Sequence, residues 1–279
     1  MRKSVIAGCL LLLVLSFGPA VHAQLDVKDI IQRSVEANKA DWKVQPDYDH
    51  CIRVKEDSKV KTYDVLMILG SPYQRLVALD GKPLSPQQEK QEESKLQQEI
   101  ADRRRETPQQ RAKRIADWER SRQRNHLLLE QLTKAFDFKM EGDRKVEGHE
   151  VYELAATPRP GYQPPNNQAK VLTGMEGKLW IDQKSFQWVK VEAKVIHPVS
   201  IAGFMARVEK GTRFELRQAP VAPDIWFPSY FAVKARAKIL FVIPHNNQEQ
   251  DTYFNYRKAG SDDSPGLCLN PPPQTEAHQ

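Results

Sequence analysis

The sequence lacks most of the features that mark the common classes of enzyme. No stretch matches a nucleophile elbow, a phosphate-binding loop or a zinc-protease helix, and no two histidines stand at the spacing of metal ligands. We therefore expect no catalytic residues, no cofactor and no metal site. The formal net charge of +6 over 279 residues is mild, which argues against a nucleic-acid-binding protein.

Long apolar runs are also scarce. The uncharged run Val5–Phe17 is too short to cross a bilayer, which requires about 20 residues. A short basic segment precedes the run, and Val21–Ala23 places small residues at the −3 and −1 positions of a cleavage site. We predict a secretory signal peptide over residues 1–23, cleaved after Ala23, and a mature protein outside the cytoplasm. The alternative is an uncleaved N-terminal anchor.

Cysteine is rare as well, and only Cys51 and Cys268 follow the predicted signal peptide. An oxidising compartment would allow one disulfide between them, which would tie the end of the chain to the first predicted strand. The other interpretation is two unpaired thiols. Apart from any such bridge, residues 259–279 are predicted to form a flexible tail.

Three segments have the patterns of helices. Leu25–Trp42 carries apolar residues at helical spacing after Asp26 as N-cap. Two later segments begin with a hydroxyl residue, a proline and two glutamines, starting at Ser85 and at Thr107, which is a signal for the start of a helix. They predict two long polar helices, 86–105 and 108–135, which together form a helical hairpin inserted at 85–135.

The remainder of the chain predicts strands. Apolar and charged residues alternate in several stretches, as expected for an antiparallel sheet with one dry and one wet face. The predicted strands are Tyr48–Lys55, Val60–Leu69, Tyr73–Leu79, Glu150–Ala155, Gly177–Asp182, Phe186–Ile196, Ala206–Ala219, Ser229–Val242 and Glu249–Arg257. The predicted fold class is α+β: a large curled antiparallel sheet, or half-barrel, with the N-terminal helix on its concave face.

A curled sheet with few helices to fill it predicts an apolar cavity. The candidate ligand-lining residues lie on the apolar face of the later strands: Val189, Val191, Phe214, Leu216, Val233 and Ile239. The alternative is that each of these side chains simply packs against a helix. The hypothesis therefore concerns the face as a whole.

Two short segments resemble a known family. One contains Pro72, Arg75-Leu76 and Asp80-Gly81-Lys82; the other runs from Glu176 to Asp182 (EGKLWID) and is followed by Trp188–Glu192 (WVKVE). Their order resembles that of the outer-membrane lipoprotein-sorting proteins, the LolA/LolB-like half-barrel superfamily. The resemblance implies a half-barrel domain over 24–258, whose cavity shields the acyl chains of lipoproteins during transit across the periplasm.

The sequence thus favours a periplasmic binding or carrier protein for lipoproteins or another acylated lipid, without enzyme activity. The alternative is an envelope signalling or protein-interaction module that uses the helical hairpin. Its Arg-rich region, 103–124, would then contact a membrane protein or an anionic membrane. Because acidic residues are interleaved there, a merely solvated helix face is the competing interpretation. A third hypothesis is a hydrolase whose site the sequence does not reveal.

Overall fold

The fold is taken from a computed structural model of the chain. The structure describes four ranges, 25–201, 206–239, 243–261 and 265–271. Within them, only the backbone is described at 125, 128, 129, 238, 239, 243–246 and 265. The predicted signal peptide lies outside these ranges.

Three long helices form where their start signals predict them. They are α1 (Val27–Val44), α2 (Pro86–Arg105) and α3 (Pro108–Ala135). Asp26 caps α1, and its side chain accepts a hydrogen bond from the amide of Lys28. Ser85 and Thr107 each form a complete capping box with the glutamine three residues later, which satisfies backbone donors at both helix starts. No described helix has the length and apolar character needed to span a bilayer.

Thirteen strands form one antiparallel sheet. They are β1 (Tyr48–Glu56), β2 (Lys59–Ile68), β3 (Ser71–Leu79), β4 (Lys82–Pro83), β5 (Phe136–Val146), β6 (His149–Pro158), β7 (Met175–Asp182), β8 (Trp188–Val195), β9 (Val199–Ser200), β10 (Ala206–Val208), β11 (Arg213–Ala222), β12 (Ile225–Ile239) and β13 (Ile243–Lys258). Short 3-10 helices cover Gln45–Asp47, Ala169–Gly174 and Pro265–Cys268.

The spatial order of the strands is β4-β3-β2-β1-β13-β12-β11-β8-β7-β6-β5, with β10 pairing β12 and β9 pairing β10. The first and last strands of this order, β4 and β5, are not paired with each other among the described strands, so the sheet is open. The last strand, β13, pairs with β1 and joins the N-terminal hairpins to the later strands. The α+β fold with a large half-barrel sheet, predicted from the sequence, is confirmed.

One lateral row of paired residues crosses ten strands. It runs Met140, Leu154, Leu179, Val191, Leu216, Phe231, Asp251, Val54, Lys61 and Leu79, each paired with the next. Directly paired residues share one face of an antiparallel sheet. We call the face that contains this row the inner face. Helix α1 packs on it, because Ile30 and Ile31 form one core cluster with Leu154, Leu179, Ile181 and Trp188.

The short strands β4 and β9 were not predicted, and the structure differs from the predicted elements in three further places. Strand β5 was not predicted. In the structure, α3 ends at Ala135 and Phe136 opens the strand, whose apolar residues Phe138 and Met140 recur with a period of two.

The predicted strand Ala206–Ala219 is divided into β10 and β11 by a turn in which Gly211 has φ of 89°, a backbone conformation that favours glycine. Strands β12 and β13 also begin earlier than predicted, at Ile225 and Ile243.

Candidate ligand-binding groove

An apolar groove opens between α1 and the edge strand β5. Its volume is about 830 Å³, which lies within the range of pockets that bind small ligands. Apolar side chains line its interior: Val27, Ile31, Val35, Phe138 and Met140. We refer to this space as the α1–β5 groove.

The spacing of residues in both elements explains the apolar lining. Val27, Ile31 and Val35 recur every four residues, so they lie on one side of α1. Phe138 and Met140 are two residues apart in β5, so they lie on one face of the sheet. Met140 and Val27 also pack against the core cluster beneath α1. The groove is therefore continuous with the core.

Charged residues form the rim of the groove. Acidic and basic side chains are mixed there: Asp26, Glu36, Asp137, Lys28, Lys39, Lys139 and Arg159. Arg159 donates to Asp137 at 2.7 Å and to the carbonyl groups of Thr133, Lys134 and Phe136. These contacts close the C-terminal end of α3 and fix the start of β5 beside the groove.

The residues predicted to line a cavity lie elsewhere. Val191 and Leu216 are paired at the centre of the inner face and pack against the cluster that contains Ile30 and Ile31 of α1. Phe214 packs in a second cluster with Phe136 and Met175. For these residues, the structure shows packing against the core.

Two candidates remain, both in β12: the side chain of Val233 is described, whereas only the backbone of Ile239 is described. Val233 is half-buried beside Phe214, its partner across β11 and β12. The side chain of Ile239 lies outside the described atoms, although its backbone pairs with that of Ala206.

Val189 does not share the face of Val191, contrary to the alternation predicted from the sequence. Trp180 pairs with Lys190 but Ile181 pairs with Trp188, so β8 contains one extra residue at this point. Such a bulge changes which face the following side chain occupies. Val189 is fully buried in a different cluster, together with Trp180 and Trp226.

Polar contacts hold the C-terminal half of α1 on the sheet. The side-chain amide of Gln218 donates to Asn38 at 3.1 Å, and the backbone amide of Trp226 donates to Asp41 at 3.2 Å. Asp41 is only 5% exposed, and burial raises its pKa to about 6. Helix α1 is thus fixed at this end by directed hydrogen bonds, while its apolar residues Val27, Ile31 and Val35 border the groove.

The helical hairpin is attached to the turn between β2 and β3. The buried guanidinium of Arg103 donates to the carbonyl groups of Ile68, Ser71 and Pro72. Arg114 donates to the hydroxyl of Ser71 and pairs with Glu106. At least two arginines of the basic region therefore hold the hairpin on the sheet.

Cys51 and Cys268 are joined by a disulfide that links β1 to the 3-10 helix Pro265–Cys268. Both cysteines are almost completely buried and form a cluster with Val77 and Phe254. Cys51 alternates with Ile52 and Val54 along β1, so this cluster lies on the face opposite α1. The described part of the C-terminal segment therefore packs against the outer face of the sheet.

Comparisons with known proteins find similarity only at the level of structure. No family profile and no curated protein matches the sequence. A putative outer membrane lipoprotein-sorting protein domain from Vibrio parahaemolyticus matches with a TM-score of 0.32 and 11% identity, covering 85% of this chain and 97% of its own. A LolA superfamily protein from Nitrosomonas europaea matches with a TM-score of 0.34 and 11% identity, covering 88% and 98%.

The MucA/MucB complex of Pseudomonas aeruginosa also matches, with a TM-score of 0.23 and 10% identity, covering 85% of this chain and 100% of the other. The similar structures thus include the superfamily that the sequence resembles. Because all these TM-scores lie below 0.5, the function proposed below is argued from the residues of this chain alone.

Proposed function

We propose that the protein is a periplasmic carrier that binds an acylated ligand, such as a lipoprotein or another lipid, with the hydrocarbon chain in the α1–β5 groove. The observation that carries the proposal is the apolar lining of this groove, which is open to solvent and has a volume of about 830 Å³. A soluble protein that leaves such a surface accessible usually binds something apolar there.

The energetics favour a hydrocarbon chain as the occupant. Each methylene group removed from water contributes about 0.8 kcal/mol, so ten buried methylenes would contribute roughly 8 kcal/mol before the costs of binding are subtracted. The mixed charges of the rim, among them Lys28, Lys139 and Glu36, suit a polar head group that stays in water. Binding of this kind requires no covalent chemistry.

The predicted signal peptide supports the location outside the cytoplasm. The buried Cys51–Cys268 disulfide supports it as well, because structural disulfides form and persist in oxidising compartments. An acylated ligand in that compartment must be shielded from water whenever it leaves a membrane.

The proposal is tested by native mass spectrometry of the protein purified from a bacterial periplasm. We expect a lipid to copurify and to be lost in the variant Val35→Asp, which places a carboxylate in the half-buried lining of the groove. The matched control is Ala40→Asp, which adds the same charge at an exposed position of α1. Equal lipid content in the two variants would contradict the proposal.

A second candidate is an interaction surface on the helical hairpin. Only Leu96 and Arg103 are buried among the 20 residues of α2, so most of this helix is free to contact a membrane protein or an anionic membrane. Exposed arginines such as Arg104 and Arg124 would make that contact. Reversing both charges to glutamate should abolish binding to anionic vesicles if the hairpin binds them, and unchanged binding would exclude this surface.

A further inference from the structure

The inner-face row that crosses ten strands contains one buried acid. Asp251 lies between Phe231 of β12 and Val54 of β1 and is only 7% exposed. Its Oδ2 accepts a hydrogen bond from the hydroxyl of Tyr253 at 3.2 Å. Its Oδ1 has no hydrogen-bond partner among the residues that the structure describes.

An unpartnered carboxylate oxygen in such a place is unfavourable. Burying a polar group without a hydrogen bond costs free energy, and the cost is larger when the group is charged. Burial raises the pKa of Asp251 to about 6, so the side chain is still mainly ionised at neutral pH. A group that satisfies Oδ1 must therefore bring a hydrogen-bond donor, and a positive charge would suit it best.

A second acid strengthens this preference. Glu249 is two residues before Asp251 in β13, so both side chains lie on the inner face. Glu249 is half-buried and pairs laterally with Val233 and Glu56. Within the described chain, neither Asp251 nor Glu249 has an ion-pair partner of opposite charge within 4 Å. The only cation of the row, Lys61, is exposed and lies two strands away from Asp251, at roughly 10 Å by the spacing of strands.

Apolar side chains adjoin the two acids. Phe231 and Val233 lie beside them on β12, and Val54 lies beside Asp251 on β1. All three are half-buried, so they offer apolar surface to a ligand. Together with Asp251 and Glu249 they form what we call the acidic patch. It lies six strands from Met140 and is therefore separate from the α1–β5 groove.

We propose that the acidic patch is a binding site for an amphiphilic amine, whose ammonium group contacts Asp251 and Glu249 and whose apolar chain packs on Phe231 and Val233. An ammonium group has three donors. Oδ1 of Asp251 has almost no accessible surface in the free protein, so the carboxylate must rotate toward the patch for one donor to reach it. The other donors can reach Glu249 or water. The acid that is unfavourable in the free protein then contributes to affinity when the site is filled. This proposal does not rest on the function of the groove.

The experiment is isothermal titration calorimetry with dodecylammonium below its micellar concentration, and with dodecanol as the uncharged analogue of equal chain length. We expect dodecylammonium to bind at least 10-fold more tightly than dodecanol. The variant Asp251→Asn, which keeps the shape of the side chain, should weaken dodecylammonium at least 10-fold and leave dodecanol unchanged. Glu249→Gln should weaken the amine by a smaller factor.

Two controls separate this site from its surroundings. Glu215→Gln removes an acid from the opposite face, since Glu215 alternates with Leu216 and pairs with Arg217, and it should not alter amine binding. Val35→Asp, which disrupts the groove, should leave the Asp251-dependent part of the amine binding intact. Thermal unfolding of each variant verifies that it is folded.

The proposal is overturned if folded Asp251→Asn and Glu249→Gln both bind dodecylammonium as the unmodified protein does. Equal affinity for the amine and the alcohol would overturn it as well. Loss of amine binding in Val35→Asp would place the amine in the groove and exclude the acidic patch.

Discussion

The two halves of the sheet differ in how α1 covers the inner face. From β5 to β11, row residues such as Leu154, Leu179 and Val191 are covered on the inner face by α1. From β12 to β3, the row residues belong to no described core cluster with α1, and further contacts lie on the outer face. There the disulfide cluster packs against β1, and α2 contacts β3 through the Arg75–Glu93 pair.

The comparison teaches how an open sheet can keep a binding surface. A face that is fully covered contributes to stability but leaves no room for a ligand. Where the outer face carries the stabilising contacts, the inner face can tolerate a residue such as Asp251. Where α1 covers the inner face, the accessible apolar space is displaced to the edge of the helix, at the α1–β5 groove.

The largest loss of stability is expected for a variant that removes a buried ion cluster from the half of the sheet between β12 and β3. Asp64 is fully buried and binds both Arg75 at 2.8 Å and Arg257 at 2.7 Å. Asp64→Ala would leave two buried guanidinium groups without this acid, so we expect a loss of about 3–5 kcal/mol in the free energy of unfolding. Urea denaturation measures this loss.

The control for that experiment is Glu93→Gln. Glu93 is the half-exposed second partner of Arg75, at 3.4 Å, and its loss should cost less than about 1 kcal/mol. Similar losses of stability in the two variants would contradict the prediction that the buried ion cluster of Asp64 stabilises this half of the sheet.

A somewhat smaller loss of stability is expected when the packing of α1 on the strands from β5 to β11 is weakened. Ile30 of α1 is 0% exposed in the core cluster, so Ile30→Ala should lower the free energy of unfolding by roughly 2–4 kcal/mol. Val54→Ala, on the half that α1 does not cover, removes a half-buried side chain and should cost clearly less. Equal losses in denaturant titrations would show that both halves are covered alike.

The smallest effect depends on pH. Burial raises the pKa of Asp41 to about 6, above its ordinary value near 4. Folding therefore favours the protonated form, and this stabilisation is complete below about pH 4 and is lost as the pH rises through 6.

Asp41→Asn removes this dependence. We expect the variant to gain stability relative to the unmodified protein by about 1–3 kcal/mol between pH 4 and pH 7. The measurement is the difference between their urea midpoints across that range, and a constant difference would contradict the assignment.

Much of the fold could be predicted because the relevant signals are local. The capping boxes at Ser85 and Thr107 depend only on neighbouring residues, and both helices begin where they predict. The Asp80-Gly81 turn likewise depends on backbone conformations that these residues adopt, with φ of 48° and 75°. Such features are independent of distant packing.

The site could be predicted only in part, because it depends on contacts distant in sequence. The apolar side of α1 was recognised from its helical spacing. Which of its residues would contact the sheet and which would border a groove depends on β5, a strand that was not predicted. The bulge at Val189 likewise arises from pairing with β7, and no residue type in β8 signals it. The burial of Asp251 depends on strands β1 and β12, about 200 and 20 residues away in sequence.

The disulfide has a consequence for how the protein is made. Cys268 follows Cys51 by 217 residues, so the bond can close only after all the residues between the two cysteines have been synthesised. Any nascent chain that stops before Cys268, or that a protease cuts before the bond has formed, would carry Cys51 without its partner. Thiol labelling of a cell extract would therefore report incomplete molecules directly.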